Sequence, residues 1–250
     1  MMDPIIIPEH ASSLKKKATA VVAGGTGGVG EGIVKHLLSH NFHVFVPVRE
    51  SAKRKELQEY AGKSLPGELT CIKAQLDDYH SAKYFYNQVL KRTEVIDLAV
   101  ASIGGWHEGF DLHRLPYKNW LRIFDENLHT HFIFGKLFLS FFRKQQYGVY
   151  INLNGDSSEI IAPKAGIISI IGAAERRLTE VFASEITQEQ IRVYSLELFT
   201  PIITRNFSQT PLPHWLTADQ VGEYILKLYN GKVPNAHKPI HKIHGVNDLS

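Results

Sequence analysis

Residues 23–30 read Ala-Gly-Gly-Thr-Gly-Gly-Val-Gly, five glycines among the seven residues from Gly24 on. The stretch follows the apolar, β-branched run ATAVVAG (18–24) and opens onto the helical pattern EGIVKHLLSH (31–40). Glycine lets the backbone turn tightly and lets another group come close to it. The helix that follows presents free N–H groups and the positive end of its dipole. A strand, a glycine-rich turn and a helix in that order are the context in which such a turn cradles a pyrophosphate. Gly24, Thr26, Gly27, Gly28, Val29 and Gly30 are therefore the candidate contacts of a dinucleotide.

The same alternation continues to the end of the chain. Strand candidates are 18–24, 43–48, 69–73, 97–103, 149–153, 191–198 and 239–245, each largely apolar, as strands covered on both faces are. Helical patterns lie between them, including a long one from Asn119 to Gln145 and another from Ala165 to Ile186. Thr217 and Asp219 give the last helix its start signal. The expectation is an α/β fold: a Rossmann-like, doubly wound parallel sheet of about seven strands with helices on both faces. Residues 1–17 read as an N-terminal arm, and 18–250 as one dinucleotide-binding domain. Ligands of such sheets bind past the C-terminal strand ends, where strand order reverses.

Bulk composition narrows the function classes. The 250 residues are 44% hydrophobic and 21% charged, with a net charge of +3, which suits a globular domain with a large core. The charge is mild and dispersed, so no nucleic-acid partner is implied, and Lys15-Lys16-Lys17 reads as a solvated lead-in. Cys71 is the single cysteine, which rules out a disulfide within the chain and fits a reducing compartment. No apolar run is long enough to cross a membrane. The expectation is a cytoplasmic protein with no membrane partner. His237, His241 and His244 do not form a metal site, because strand alternation sends His241 and His244 to opposite faces.

The second strand ends Val48-Arg49. A site for NAD calls for a carboxylate here, on the ribose 2′-hydroxyl. Arg49 instead offers a planar fork for a 2′-phosphate, which favours NADP over NAD.

With these features in place the chain resembles the short-chain dehydrogenase/reductase family over residues 18–245. The spacing Gly24, Gly28, Gly30 is that family's GxxxGxG. Ala101-Ser102-Ile103-Gly104 is a degenerate form of its Asn-Asn-Ala-Gly, and Gln75, followed by Leu76, falls at its adenine-binding Asp. Trp120 and Asn127-Leu128 match its next helix, where the resemblance implies that Asn127 interrupts the helix and holds a water of the proton relay. At the fifth strand a strict alignment places Gly155 on the catalytic serine, whereas spacing places Ser158 there; an ST or Asx turn by Asp156 and Ser157 is the competing reading. Thr204 falls where a threonine contacts the nicotinamide amide.

The family's Tyr-x-x-x-Lys falls on Ile171-Gly172-Ala173-Ala174-Glu175. An isoleucine transfers no proton, and a carboxylate at the lysine position carries the wrong charge to stabilise a phenolate. Glu175 still offers acceptors for two ribose hydroxyls. The literal Tyr79-His80-Ser81-Ala82-Lys83 follows the third strand, at the adenine end, and is a decoy. His107, Asp156 and Ser158 are the candidate substitute acids.

The resemblance implies an NADP-dependent oxidoreductase for carbonyl or alcohol hydride transfer with a degenerate catalytic site. The alternative is a catalytically inactive dinucleotide-binding sensor or oligomer subunit. Trp106, Phe110, Phe207 and Trp215 suggest an apolar or aromatic small-molecule substrate. The family's habit implies a homodimer or homotetramer through the fourth and fifth helical patterns.

Overall fold

The computed structural model describes residues 17–249, so all but the last residue of the expected N-terminal arm lies outside the described residues. Seven parallel strands form the main sheet: β1 (Thr19–Ala23), β2 (His43–Val48), β3 (Glu68–Lys73), β4 (Leu98–Ala101), β5 (Gly148–Gly155), β6 (Ile191–Leu198) and β9 (Ile240–Ile243). Their order is β3-β2-β1-β4-β5-β6-β9. The chain thus builds outward from β1 in one direction, returns to β4 beside β1, and builds outward in the other. The reversal falls between β1 and β4, paired from Ala20↔Leu98 to Ala23↔Ala101. Every residue of β1 and of β4 is buried, as expected where helices cover both faces.

One face carries α1 (Gly28–Ser39), α2 (Ser51–Ala61) and α7 (Ala218–Tyr229), whose apolar side chains join Ala20, Val22, Val44 and Val46 in one core. The other carries α3 (Tyr79–Leu90), α5 (Thr130–Gln145) and α6 (Gly166–Glu185), packed on Val21, Ala23, Phe45 and Tyr150. Alternate residues of β1 therefore serve opposite cores. Thr217 caps α7 through a reciprocal capping box with Gln220, worth about 1 kcal/mol of helix stability.

Two features lie outside what the apolar periodicity marks. The long pattern over 119–145 is not one helix: α4 (Tyr117–Phe124) gives way to a π-helical turn, Asp125–His129, before α5 begins. Two short strands, β7 (Ile202–Ile203) and β8 (Leu216–Thr217), pair parallel to each other and close the base of the 204–216 segment. Neither two-residue strand leaves a periodic signal in the sequence.

Candidate functional site

The loop after β1 and the loop after β4 meet at the point of strand-order reversal. Gly24 holds a left-handed φ of +74°, and a Cβ there would lie 1.7 Å from the Ser102 carbonyl oxygen. A Cβ on Gly30 would lie 2.1 Å from the Gly24 carbonyl oxygen. These two positions admit only glycine, because backbone passes against backbone. The Gly27 N–H donates to the Gly24 carbonyl at 2.9 Å and closes the turn. Gly27 then caps α1 with no side-chain hydrogen bond, and Gly27 and Gly28 are exposed. The first-turn N–H groups of α1 thus have no side-chain partner at an open surface, which is what an anion needs. A pyrophosphate fits this cradle.

The flanking candidates spread along the same strand ends. Arg49 is exposed just past β2, and Gln75 is exposed past β3 beside the buried Leu76. Ala101 ends β4 and is fully buried. The Thr204 methyl packs on Gly28, since a Cβ there would lie 2.9 Å from Thr204 Cγ2.

Asn127 sits in the π-helical turn, 4% exposed. Its Oδ1 accepts from the Gly105 N–H at 3.0 Å, and its Nδ2 donates to the Ile123 carbonyl at 2.7 Å. A Cβ on Gly104, whose φ is +101°, would strike Asn127 Oδ1 at 2.3 Å. Asn127 therefore grips the loop that follows β4. His107 lies further along that loop, with Nε2 3.7 Å from Glu126 Oε2. Trp106 and Phe110 of the same loop are exposed, and Phe207 meets Trp215 edge to face at 5.7 Å.

Ser157 and Ser158 lie in a 3-10 turn, Asp156–Ser158, that extends from the end of β5. Ser158 Oγ is buried beside the Glu197 carboxyl and completes no well-formed hydrogen bond. Glu197 is fully buried, and burial pushes its carboxyl above the usual range while Arg176 pulls it back. Glu159 bonds both Arg176 and Lys242, which hold its carboxyl down to about 2. Ser158 thus belongs to a charged cluster between α6 and β6, and shares no hydrogen-bond partner with Asn127.

Ile171 is 3% exposed, clustered with Ile123, Ala165, Ile167 and Ile168 and flanked by Trp120 and Leu128. One turn further along α6, Glu175 turns inward. Its Oε1 lies 3.7 Å from Nε2 of the buried His131. That nitrogen also lies 3.3 Å from the Ile103 carbonyl oxygen, and His131 Nδ1 is buried with no partner. Burial pushes the Glu175 carboxyl up, and His131 opposes the shift. The buried Glu175 charge in turn helps burial raise the Tyr150 phenol. Sequence reasoning missed His131; the available signal was its place four residues after Asn127, on the same helical face.

Over residues 18–207 the chain matches the family described as short chain dehydrogenase. The chain belongs to the short-chain dehydrogenase family. No curated protein matches its sequence significantly. Solved structures do match its fold. A short-chain type dehydrogenase/reductase from Mycobacterium ulcerans superposes with a TM-score of 0.81 at 17% identity, covering 93% of this chain and 90% of that one. ElxO with NADP bound gives 0.80 at 18% identity, covering 91% and 97%. An alcohol dehydrogenase from the archaeon Thermococcus sibiricus, complexed with 5-hydroxy-NADP, gives 0.76 at 20% identity, covering 92% and 97%.

The Tyr79–Lys83 pair lies in the first turns of α3, with Tyr79 exposed and Lys83 Nζ over the Tyr86 ring. It follows Gln75 and Leu76 at the β3 end and lies outside the loops after β4 and β5. Among the described residues no three potential metal ligands converge, and no helix is long and apolar enough to cross a membrane.

Proposed function

We propose that this short-chain dehydrogenase binds NADP(H) and transfers a hydride between it and a carbonyl or alcohol, with a proton donor other than the family's tyrosine. The observation that carries the reading is the cradle at Gly24 and Gly30, where any side chain would collide with backbone. In this reading Gly24, Thr26, Gly27, Gly28, Val29 and Gly30 hold the pyrophosphate, and Arg49 pairs with the 2′-phosphate. Gln75 and Leu76 flank the adenine, and Ala101, Gly104 and Thr204 border the nicotinamide. The cofactor supplies or accepts the hydride. Asn127 positions the loop that carries His107, and His107, oriented by Glu126, donates the proton; imidazole is the side chain that ordinarily titrates nearest neutral pH. Glu175 acts on the ribose side only through His131, to which its carboxyl is turned.

A second reading, dinucleotide binding without turnover, is supported by Ile171. At the position of the family's proton donor it joins an apolar cluster. Calorimetric titration with NADP(H) and NAD(H), followed by a carbonyl and alcohol screen read by nicotinamide absorbance, tests both. Binding with turnover that His107→Ala abolishes supports the first reading; binding with no turnover supports the second. No binding of either cofactor at millimolar levels overturns both.

A homodimer or homotetramer through α5 and α6 belongs to the same proposal. Its support is an apolar surface in which Phe132 and Val181 are exposed and Phe132 stacks on Phe182. The lone Cys71 supports a cytoplasmic setting.

A further inference from the structure

We infer that Arg205 is a positioning residue for the dinucleotide, fastening Thr204 over the glycine loop and cancelling the charge of Glu31 at the start of α1. The inference rests on the reading that this loop holds a dinucleotide. Glu31 stands in the first turn of α1, and its side chain is 4% exposed. Such a carboxylate suits an empty helix N-terminus. It is unfavourable where the same N-terminus must also hold a pyrophosphate, because like charges at short range in a partly buried site repel strongly.

Arg205, on the segment that follows β7, answers that charge from the same face of the sheet. Its Nη2 donates to Glu31 Oε2 at 2.9 Å. It also lies 3.8 Å from Glu56 Oε2 on α2, and its guanidinium sits over the Tyr60 ring at 5.3 Å. Lys53 bonds Glu56 at 2.8 Å. Two carboxylates thus face two cations around Glu31, with the Tyr60 ring as floor. Removing Arg205 leaves one uncompensated negative charge beside the cradle.

The same bond sets geometry. Thr204, whose methyl packs on Gly28, is the residue just before Arg205, and both follow β7. Anchoring Arg205 to α1 and α2 holds the post-β7 segment against the loop. A guanidinium suits this task because one planar group reaches a carboxylate and stacks on a ring together.

The test measures NADP(H) dissociation constants for wild type, Arg205→Gln, Arg205→Lys, Glu31→Gln and the double variant Glu31→Gln/Arg205→Gln. Arg205→Gln is expected to weaken binding at least about tenfold, and Arg205→Lys by less. The double variant is expected to recover most of the loss, since it removes the offending charge. Relative to wild type, the Arg205→Gln defect should shrink as pH falls, as Glu31 takes up a proton. That pH dependence should vanish in the double variant. Burial already holds the Glu31 carboxyl above its usual range, with Arg205 and Lys53 opposing and Glu56 adding to the rise. An Arg205→Gln protein that binds as wild type does, or a double variant no better than Arg205→Gln, overturns the inference. Wild type that binds neither NADP(H) nor NAD(H) overturns instead the dinucleotide reading beneath it.

Discussion

Glu175 Oε1 lies 3.7 Å from His131 Nε2, with the two side chains 8% and 1% exposed. Glu175 is the residue that the sequence resemblance aligns with the family's lysine. Thr179, on the next turn of α6, bonds the Glu175 carbonyl and accepts from Asn152 Nδ2. Polar side chains of α5, α6 and β5 therefore meet in one buried seam below the loop after β4.

The seam makes stability depend on pH in a defined direction. Burial raises the Glu175 carboxyl above its ordinary value of 4.5, so the folded state binds this proton more tightly than the unfolded state. The contribution is complete below pH 4.5 and is lost as pH rises through the folded value. Glu175→Gln removes the titration. Its stability relative to wild type is expected to rise as pH rises above 4.5. Urea unfolding at several pH values checks this; a pH-independent difference refutes it.

Restoring the family's residues is not expected to restore its chemistry. Ile171→Tyr forces a ring and a hydroxyl into the cluster of Ile123, Ile167 and Ile168, at about 1–3 kcal/mol for overpacking. Glu175→Lys sets a buried ammonium against His131 Nε2 in place of a carboxylate. The double variant is expected to lose about 10 °C in Tm and to gain no NADPH-dependent carbonyl reduction. Thermal denaturation and an absorbance assay check both, and reductase activity above that of wild type at an unchanged Tm contradicts the prediction.

The parallel sheet and the glycine loop were legible in the sequence because each rests on local rules. Apolar runs such as 18–24 and 191–198 mark covered strands, and five glycines running from the strand end into the helix mark a close backbone approach. The family's polar landmarks were legible as positions, and Asn127 proves to interrupt a helix as the resemblance implied. Partners were less legible. Ser158 facing Glu197, Glu175 facing His131 and Arg205 reaching Glu31 each join residues far apart in the chain. No periodicity or spacing encodes such a pairing; it is set by how α6, β6 and the post-β7 segment pack.

The glycines separate into positions the fold requires and positions it tolerates. Gly24→Ala adds a Cβ 1.7 Å from the Ser102 carbonyl oxygen at φ +74°, and is expected to cost more than about 4 kcal/mol together with all dinucleotide binding. Gly62, also at a positive φ of +82°, has nothing within 4 Å of the corresponding Cβ. Gly62→Ala, at φ +82° and ψ 168°, is expected to cost about 1–3 kcal/mol of backbone strain and to leave binding intact. Unfolding curves and cofactor titrations on both variants check the contrast; equal losses would refute the close-approach argument.

Arg49 is the test of cofactor preference. It is exposed just past the end of β2, and the proposed reading pairs it with the 2′-phosphate that NAD lacks. Arg49→Ala is expected to weaken NADP(H) binding about tenfold, the worth of a charge-assisted hydrogen bond of about 1.5 kcal/mol, and to leave NAD(H) binding within about twofold. An equal effect on both cofactors, read by fluorescence titration, removes Arg49 from the 2′-phosphate site.

Asn127 separates the two ends of the site. Its side chain ties the Gly105 N–H to the Ile123 carbonyl, so it fixes the loop after β4 and touches none of the glycine loop. Asn127→Ala takes the side-chain partner from the buried Ile123 carbonyl and from the N–H of the exposed Gly105, and is expected to cost about 1–3 kcal/mol of stability. The damage should fall on the nicotinamide end alone. Adenosine 2′,5′-bisphosphate, which reaches only the adenine half, is expected to bind the variant as it binds wild type, while NADP(H) binds several-fold more weakly. Asn127→Asp keeps the acceptor for Gly105 but loses the donor to Ile123 and buries a charge, so it should not rescue stability. Parallel titrations of the two ligands decide the matter: equal losses for both would mean that Asn127 supports the domain as a whole rather than the loop it grips.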